Sequence, residues 1–597
     1  TDSNLPIFLP LPEPAMPLSQ KRLLFNETHT ASANRLYRLD EEKQLRFQLG
    51  YIHDRTTRQY GSEEIYYFVQ DTVHTATNRH DRLKTDCLNA EVNYEDNTVS
   101  RYTRENFSFA GTWKSGVSDI TGDNAIFQKI KNSQWELKNH FNQLYTKEKY
   151  TWGIRLYIRY THCPASLTVA HRNLPILFAD NMLIANCIYH RNELSSPDNI
   201  SENTYRTVIG QTHESILAEY EEMNTGNAYT DNVLYGMRKI NGVNYQLTGG
   251  FCGELSSVKQ ENAYSAHSYS FYTVPRIEWE RNDFLFTAAT TVRWSHLPKQ
   301  SYSRFCVSPF FCFRYKFTPR WKMSLLGSLD ESEGGLKDIY PFRYREDYRT
   351  VVKHTGKVPV TVRQLYTCYL EYKNTIKEFF WTLSASYSHN RYNLITERNY
   401  KDGNFYLSSV ERNHSFHSYT LNTIGSKGIY DWNLKTSLEL TLARNEGKQL
   451  NEGIVQDYRY DYLCIEPKIV WAPSVFFEAE YKATVSCVGG GIGEDTSLDP
   501  LWEVAQRLTL SLEFHDTEFR LSGEHFYNDL SKNQHLNIWL ADVSLIHKVG
   551  KWRFAASAIN LFNKEQYRYT LYSAVQSYTS WIKLRPREFM VSVQYQW

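Results

Sequence analysis

The chain has 597 residues, and its 67 basic against 66 acidic side chains leave a formal net charge of +1. That balance gives no basic footprint for nucleic acid and no acidic tail, and the length exceeds what one soluble core usually organises. The unusual numbers are 44 Tyr, 31 Phe and 14 Trp in a chain of negative mean hydropathy.

Aromatics at this density suit the girdles of a membrane β-barrel, where an apolar ring carries a polar handle at each interface. No run approaches 18 apolar residues, so no membrane-spanning helix is expected. Barrel strands bring only every second residue to lipid and need no such run. The chain opens at Thr1 without a basic-then-apolar leader, and a secretory signal is expected to have been removed.

Residues 1–20 hold Pro6, Pro10, Pro12, Pro14 and Pro17. Proline at that density excludes helix and central strand and reads as an extended arm. The arm is assigned to residues 1–27 and is expected to connect from a domain in front of it. Residues 28–597 are assigned to one barrel.

From there the sequence reads as hairpins with period-two alternation. Leu45, Phe47, Leu49 and Tyr51 alternate with Arg46, Gln48 and Gly50. Trp152, Ile154, Leu156, Ile158 and Tyr160 alternate with Gly153, Arg155, Tyr157 and Arg159. Phe379, Trp381, Leu383, Ala385 and Tyr387 oppose a run of Thr and Ser. Trp432, Leu434, Thr436, Leu438, Leu440 and Leu442 oppose Asn433, Lys435, Ser437, Glu439 and Thr441. Phe477, Ala479, Tyr481, Ala483 and Val485 oppose Glu478, Glu480, Lys482 and Thr484.

Lipid is therefore expected to meet Trp152, Trp381, Trp432, Leu438, Phe477 and Tyr481. The lumen is expected to take Arg155, Arg159, Lys435, Glu439, Glu478, Glu480 and Lys482. Charges in such a series are incompatible with a dry sandwich core, because an unpaired buried charge costs several kcal/mol. A wet lumen accommodates them.

Tight turns are expected at Asp40–Lys43, His515–Glu518 and Val549–Lys551. Long external loops are expected at 117–131, 191–215, 221–232, 327–350, 444–456 and 489–502. Short turns on one side and long loops on the other are the barrel pattern. At about 27 residues per strand and connection, the length predicts about 22 antiparallel strands.

Candidate chemistry is sparse. Gly489-Gly490-Gly491-Ile492-Gly493 follows a strand, but no helix and no lysine follow it as a phosphate loop requires. Nineteen histidines form no H-E-x-x-H pair, and no G-x-S-x-G elbow is present. The nine cysteines include no C-x-x-C pair, and Cys306 and Cys312 stand about 20 Å apart along one strand, too far to bridge. No enzyme activity, metal site or cofactor is expected.

The final strand carries the strongest pattern. Phe589, Val591, Val593, Tyr595 and Trp597 fall on one face, with Met590, Ser592, Gln594 and Gln596 on the other. Phe589, Val591 and Val593 are expected to face lipid, and Phe589, Tyr595 and Trp597 to mark the closing strand. A barrel's last strand closes on its first, so Phe589–Trp597 is expected to pair near residues 28–39.

Asn560-Leu561-Phe562-Asn563, then Leu584-Arg585-Pro586-Arg587-Glu588-Phe589 and the aromatic-ended strand, resemble the C-terminal end of TonB-dependent outer-membrane receptors. The likeness is nearest to the Bacteroidota receptors with a carboxypeptidase-regulatory-like N-terminal domain. Leu11-Pro12-Glu13-Pro14 with Leu23-Leu24-Phe25-Asn26, and Pro164-Ala165-Ser166-Leu167-Thr168-Val169, add weaker matches. Trp597 stands where phenylalanine is usual.

The resemblance implies an outer-membrane location in a Gram-negative bacterium and contact with membrane lipid and lipopolysaccharide. It also implies energy-coupled uptake of a scarce ligand bound by outer loops and upper lumen. Coupling to the TonB complex would run through an N-terminal plug, which these 597 residues do not contain. The alternative is a barrel subunit of a larger outer-membrane complex for surface-protein export or assembly, in which a surface lipoprotein could be a partner.

Overall fold

The computed structural model describes residues 18, 22–23, 25–67, 72–122, 125–148, 150–171, 206–209, 215–493, 496–531, 534–572 and 576–595. The proline arm, most of the stretch 191–215, Glu494, Asp495, Gln596 and Trp597 lie outside these. Among the described residues one sheet of 28 strand segments accounts for the architecture.

Six strands open the sheet: β1 (Phe25–Arg38), β2 (Lys43–Tyr67), β3 (Thr72–Asn97), β4 (Arg101–Gly122), β5 (Ile126–Lys147) and β6 (Tyr150–His171). After the short β7 (Arg206–Ile209) come β8 (Ser215–Ile240), β9 (Val243–Lys259), β10 (Ala263–Arg281), β11 (Phe284–Leu297), β12 (Tyr302–Thr318) and β13 (Trp321–Glu333). A one-turn helix α1 (Leu336–Ile339) and two small strands, β14 (Tyr344–Arg345) and β15 (Thr350–Lys353), interrupt the series. It resumes with β16 (Val360–Asn374), β17 (Phe379–Lys401), β18 (Asn404–Ile429), β19 (Leu434–Asn451), β20 (Ile454–Ser474) and β21 (Phe477–Ile492). The last segments are β22 (Thr496–Phe514), β23 (Thr517–Ser531), β24 (Gln534–Val549), β25 (Trp552–Ile559), β26 (Gln566–Tyr572), β27 (Gln576–Lys583) and β28 (Glu588–Tyr595).

Sequential long strands pair antiparallel, and antiparallel pairings also step over intervening segments: β6 with β8, β13 with β16, and β25 with β28. Turn chemistry sets the register locally. Asn241 (φ 49°) and Gly242 (φ 83°) both hold positive φ between β8 and β9. Two such residues match the right-handed twist of a hairpin, and a β-branched residue there would be strained. Asp402-Gly403 makes the same turn between β17 and β18, at the opposite end of the sheet.

The strands are much longer than a bilayer needs. β2 has 25 residues, whereas about 9–11 cross a membrane. Its apolar alternation stops after Tyr51, and Arg55, Gln59 and Glu63 continue the same face. This corrects the loop expectations. Residues 117–122, 126–131, 221–232, 444–451 and 496–502 are strand, and 444–456 is interrupted only by a turn at Glu452-Gly453. Alternation needs one dry face, so a strand with both faces wet looks like a polar loop in sequence.

The cross-strand register separates two faces. The segment between β13 and β16 packs on one of them, here called the inner face. Trp432 needs correction: it lies in a 3-10 turn, Tyr430–Trp432, because Asn433 at φ 47° ends the turn and β19 starts only at Leu434. Trp432 is 65% exposed at that tip.

Closure also differs from expectation. β2 pairs with β27 over seven residue pairs, from Tyr60↔Ile582 to Tyr66↔Gln576. β28 pairs with β25, and β1 pairs with β2. Among the described residues β28 has no ladder with β1, so the expected pairing of Phe589–Trp597 with residues 28–39 is not made. The reason is directional. β1 runs antiparallel to β2 and already occupies its edge from Gln44 to Thr57.

The register gives a test of the faces. Leu438, on the outer face and 51% exposed, should cost about 2–4 kcal/mol on substitution by Arg near a bilayer midplane. Glu480→Gln, on the inner face, should leave folding almost unchanged. Heat-modifiability in detergent after refolding into vesicles measures both, and the reverse ranking would invert the assignment.

Candidate functional site: a strap across the inner face

Residues 334–359 leave the wall and cross its inner face. Their base is tied, with Gly334 N donating to Pro359 O at 2.8 Å. The middle is folded as a hairpin, β14 against β15. Asp347 closes its turn by accepting from the backbone N of Arg349 at 2.8 Å and of Thr350 at 2.7 Å. Aspartate is suited to this because its short side chain reaches its own following amides.

Hydrophobic packing seats the strap. Ile339, Tyr340, Tyr344, Tyr348, Val352 and Val358 join one buried cluster with Ile120, Leu167, Met223, Val258 and Tyr264 of the wall. Tyr340 and Tyr344 are 0% exposed. Tyr340 stands edge-on to Tyr264, with ring centroids 5.7 Å apart, and its hydroxyl donates to Gln260 Oε1 at 2.9 Å. β15 then docks in parallel on β18, from Thr350↔Phe405 to Lys353↔Ser408.

Two arginines fasten the strap to separate parts of the wall. Arg345 Nη2 lies 2.5 Å from Glu219 Oε2 on β8, and its backbone N donates to Glu221 Oε2 at 3.0 Å. Arg349 Nη2 donates to Glu64 Oε2 on β2 at 2.6 Å, and Nη1 to Thr75 Oγ1 on β3 at 3.1 Å. The Arg349 guanidinium also lies over the rings of Tyr66 at 5.9 Å and Phe405 at 5.3 Å. Both ion pairs are largely buried, with side chains 7–19% exposed. A guanidinium suits such places, because its planar fork serves several acceptors at once and stacks on rings.

The strap is not perfectly satisfied. Tyr344 Oη and His354 Nε2 are buried without a protein hydrogen-bond partner among the described residues. Each such group costs about 1–3 kcal/mol unless water reaches it. Burial holds the His354 imidazole below its ordinary 6.5, with Asp338 pulling upward and Lys337 downward. Burial raises the Tyr340 phenol to about 12, so it stays a donor at neutral pH.

Below the strap the inner face carries charged side chains in register. Lys468 and Glu480 are 3.2 Å apart, Lys482 and Glu466 3.5 Å, and Arg507 and Glu524 3.7 Å. Arg22, just ahead of β1, reaches Glu524 at 2.7 Å and Asp542 at 2.8 Å. Glu439 lies opposite Glu466 and accepts from Asn422 Nδ2 at 2.8 Å. Glu478 and Lys435 share this face through their partners Ser511 and Gly428. Arg155 stands 3.4 Å from Asp231, and Arg159 Nη2 donates to Asn227 Oδ1 at 3.4 Å, on the β8 face that holds Glu219 and Glu221.

Trp152, Trp381, Leu438, Phe477, Tyr481, Phe589, Val591 and Val593 fall on the opposite face by the same register. Tyr595 also points there and packs against Trp552, the rings tilted with centroids 4.8 Å apart. Sequence reasoning missed the strap's own residues and placed 327–350 in a polar loop. The available signal was Tyr340-Pro341-Phe342-Arg343-Tyr344-Arg345, too aromatic for a solvated loop.

No family profile and no curated protein matches the chain. Among solved structures it is similar to the outer-membrane transporter YddB of Escherichia coli. That match has 10% identity over 94% of this chain and 76% of the other, with a TM-score of 0.48. It is similar also to the ferric enterobactin receptor PfeA of Pseudomonas aeruginosa, at 11% identity, 94% and 79% coverage and a TM-score of 0.47. A third is the siderophore receptor PirA of Pseudomonas aeruginosa, at 11% identity, 89% and 80% coverage and a TM-score of 0.38. At TM-scores below 0.5, the fold assignment rests on the chain's own strand pairings.

Removing one partner of a buried ion pair strands the other and costs about 3–5 kcal/mol. Arg349→Ala should therefore release the strap while the wall persists. Trypsin cleavage at Lys337, Arg343 and Lys357 should rise sharply, and uncut strands should confirm an intact sheet. The His354 imidazole adds a pH dependence. Its released form binds more protons, so strap stability is full above the ordinary value and falls as pH drops below about 6.5. Cleavage should rise on acidification in the parent and less in His354→Gln.

Proposed function

We propose that the chain is the wall of an energy-coupled transporter in the outer membrane of a Gram-negative bacterium. The outer face, with Trp152, Trp381, Leu438, Phe477, Tyr481, Phe589, Val591 and Val593, meets lipid and lipopolysaccharide. The inner face, with Arg155, Arg159, Lys435, Glu439, Glu478, Glu480 and Lys482, lines an aqueous lumen. The residues ahead of β1, which begins at Phe25 and not at the expected residue 28, are the arm from an N-terminal plug that fills this lumen and contacts the TonB complex.

The observation that supports this reading best is the strap. A ring of this many strands encloses a wide hole, and an unobstructed pore has no use for a folded segment across its interior. Residues 334–359 cross that interior on buried aromatics and two ion pairs, an arrangement that suits a gated path. The charged wall beneath supplies paired groups of both signs, able to exchange partners with a polar solute as it passes. The resemblance of the C-terminal residues to TonB-dependent receptors implies coupling to that energy source.

Two measurements on the full-length protein in its native membrane test the reading. Growth on a limiting nutrient should require both this protein and the energy-coupling partner. Cells carrying Arg345→Ala with Arg349→Ala should become sensitive to vancomycin, a solute too bulky for ordinary porins. Deletion that leaves all nutrient uptake intact while surface-protein export fails would replace the transporter with an export-machine subunit.

A further inference from the structure

We infer that β1 and β28 are alternative occupants of one edge of β2, so that the wall has a second form, closed along this edge, in which β28 replaces β1. This rests on strand pairings and is independent of what the protein transports.

One edge of β2 belongs to β3 along its whole length, from Lys43↔Asp96 to Tyr67↔Thr72. The other edge is divided. β27 holds Tyr60–Tyr66, and β1 holds Gln44–Thr57. The chain of β27 runs on through Leu584-Arg585-Pro586-Arg587 into β28, which then lies against β25 alone among the described residues. Continuing the β2–β27 register down β2 without a bulge puts Phe589 opposite His53, Val591 opposite Tyr51 and Val593 opposite Leu49. Those three slots are filled instead by His29, Ala31 and Ala33 of β1.

Side-chain chemistry favours β28 in these slots whenever the outer face meets lipid. Leu49 and Tyr51 belong to the apolar stripe of β2, beside Phe47. β1 sets Ala33, Ala31 and Arg35 beside Leu49, Tyr51 and Phe47, two small residues and a charge, with Tyr37 edge-on to Phe47 at 5.9 Å as its one aromatic contact there. β28 would set Val593 and Val591 there. At present Phe589 is 78% and Val591 80% exposed, well above Leu49 at 51%. Every residue of β1 after Phe25 is exposed, so β1 packs little on either face and is held mainly by its ladder with β2.

Backbone chemistry makes the exchange worthwhile. With β1 in place, the amides and carbonyls of Glu588–Gln594 have no ladder partner on that side among the described residues. Over about seven residues this seam is roughly 23 Å long, and such groups are costly in hydrocarbon. Antiparallel pairing of β28 on β2 would satisfy them. β1 would leave the wall, where polar residues such as Asn26, Thr28, Thr30 and Ser32 can be hydrated. The entry point is already marked: Arg585 N donates to Arg22 O at 2.8 Å where the incoming chain passes the end of β27.

Cysteine crosslinking decides between the forms, using Leu49→Cys as common partner in the full-length protein in outer membranes. Leu49→Cys/Ala33→Cys reports β1 on the edge, and Leu49→Cys/Val593→Cys reports β28. Native Cys87 lies opposite Ile52 and on the other face, and linked peptides are identified by mass. Both pairs should form a disulfide under mild oxidation. Adding Ala31→Pro/Ser32→Pro, which removes one ladder donor from β1 and leaves position 33 free for the reporter cysteine, should raise the 49–593 product roughly threefold or more. If 49–33 forms fully and 49–593 is absent in both backgrounds, β1 is a fixed wall strand and the inference fails. If neither pair links, the register itself is wrong and the inference fails as well.

Discussion

Unpaired backbone polarity is the constraint on which the rest of this structure depends. A sheet has two edges, and each presents amides and carbonyls that need partners. In water those groups can be hydrated; in hydrocarbon they cannot. The chain meets this by pairing strand after strand until its last segments return to β2. The unusual features of the molecule cluster at that meeting: the divided edge of β2, the break between β27 and β28, and the incoming residues Arg22 and Leu23 against β23, β24 and β27. Asn560 marks the matching break between β25 and β26. Its side chain donates to Lys564 O at 2.8 Å and Arg585 O at 2.7 Å, tying the two breaks together.

This also explains what the sequence reveals and what it hides. Where one face is apolar, as at Leu438 or Phe477, alternation exposes the strand and its register together, because a one-residue slip would exchange the faces. Higher on the same strands both faces are polar, and the signal disappears although the ladder continues. β8 is the plainest case: its first half reads as a polar loop, yet it pairs with β6 from Leu217 to Arg238. The strap was hidden for another reason. Its role comes from contacts with Glu64, Thr75, Glu219 and Glu221, residues more than a hundred positions away, and no local period encodes such partners. Closure was hidden by competition, since β1 and β28 both carry strand patterns and only pairing energies choose between them.

The strap and the wall hold together by different means. Strand neighbours share ladders along their full length, so the wall gains its stability cooperatively and tolerates single losses. The strap has one short parallel ladder to β18, a buried aromatic cluster and two arginine anchors. Removing either anchor leaves a carboxylate in a poorly hydrated place, so the loss falls on one element. The strap is therefore expected to open at a lower free energy than the wall.

β2 links these parts. Its inner face near Tyr66 and Glu64 holds the strap through Arg349. Tyr60, lower down, belongs to the buried cluster that contains Leu18, Leu23, Tyr567 and Ile582. Its edge from Gln44 to Thr57 carries β1. Tyr60 opens the β27 ladder opposite Ile582, three residues past the end of the β1 ladder at Thr57, and packs in the cluster that holds the incoming chain. Arg79 connects the same points, with its guanidinium 5.9 Å from the Tyr60 ring and 4.8 Å from the ring of Tyr348 in the strap. A change at the seam and a change at the strap thus act on the same few side chains. One strand, β2, thus carries the contacts of both seam and strap.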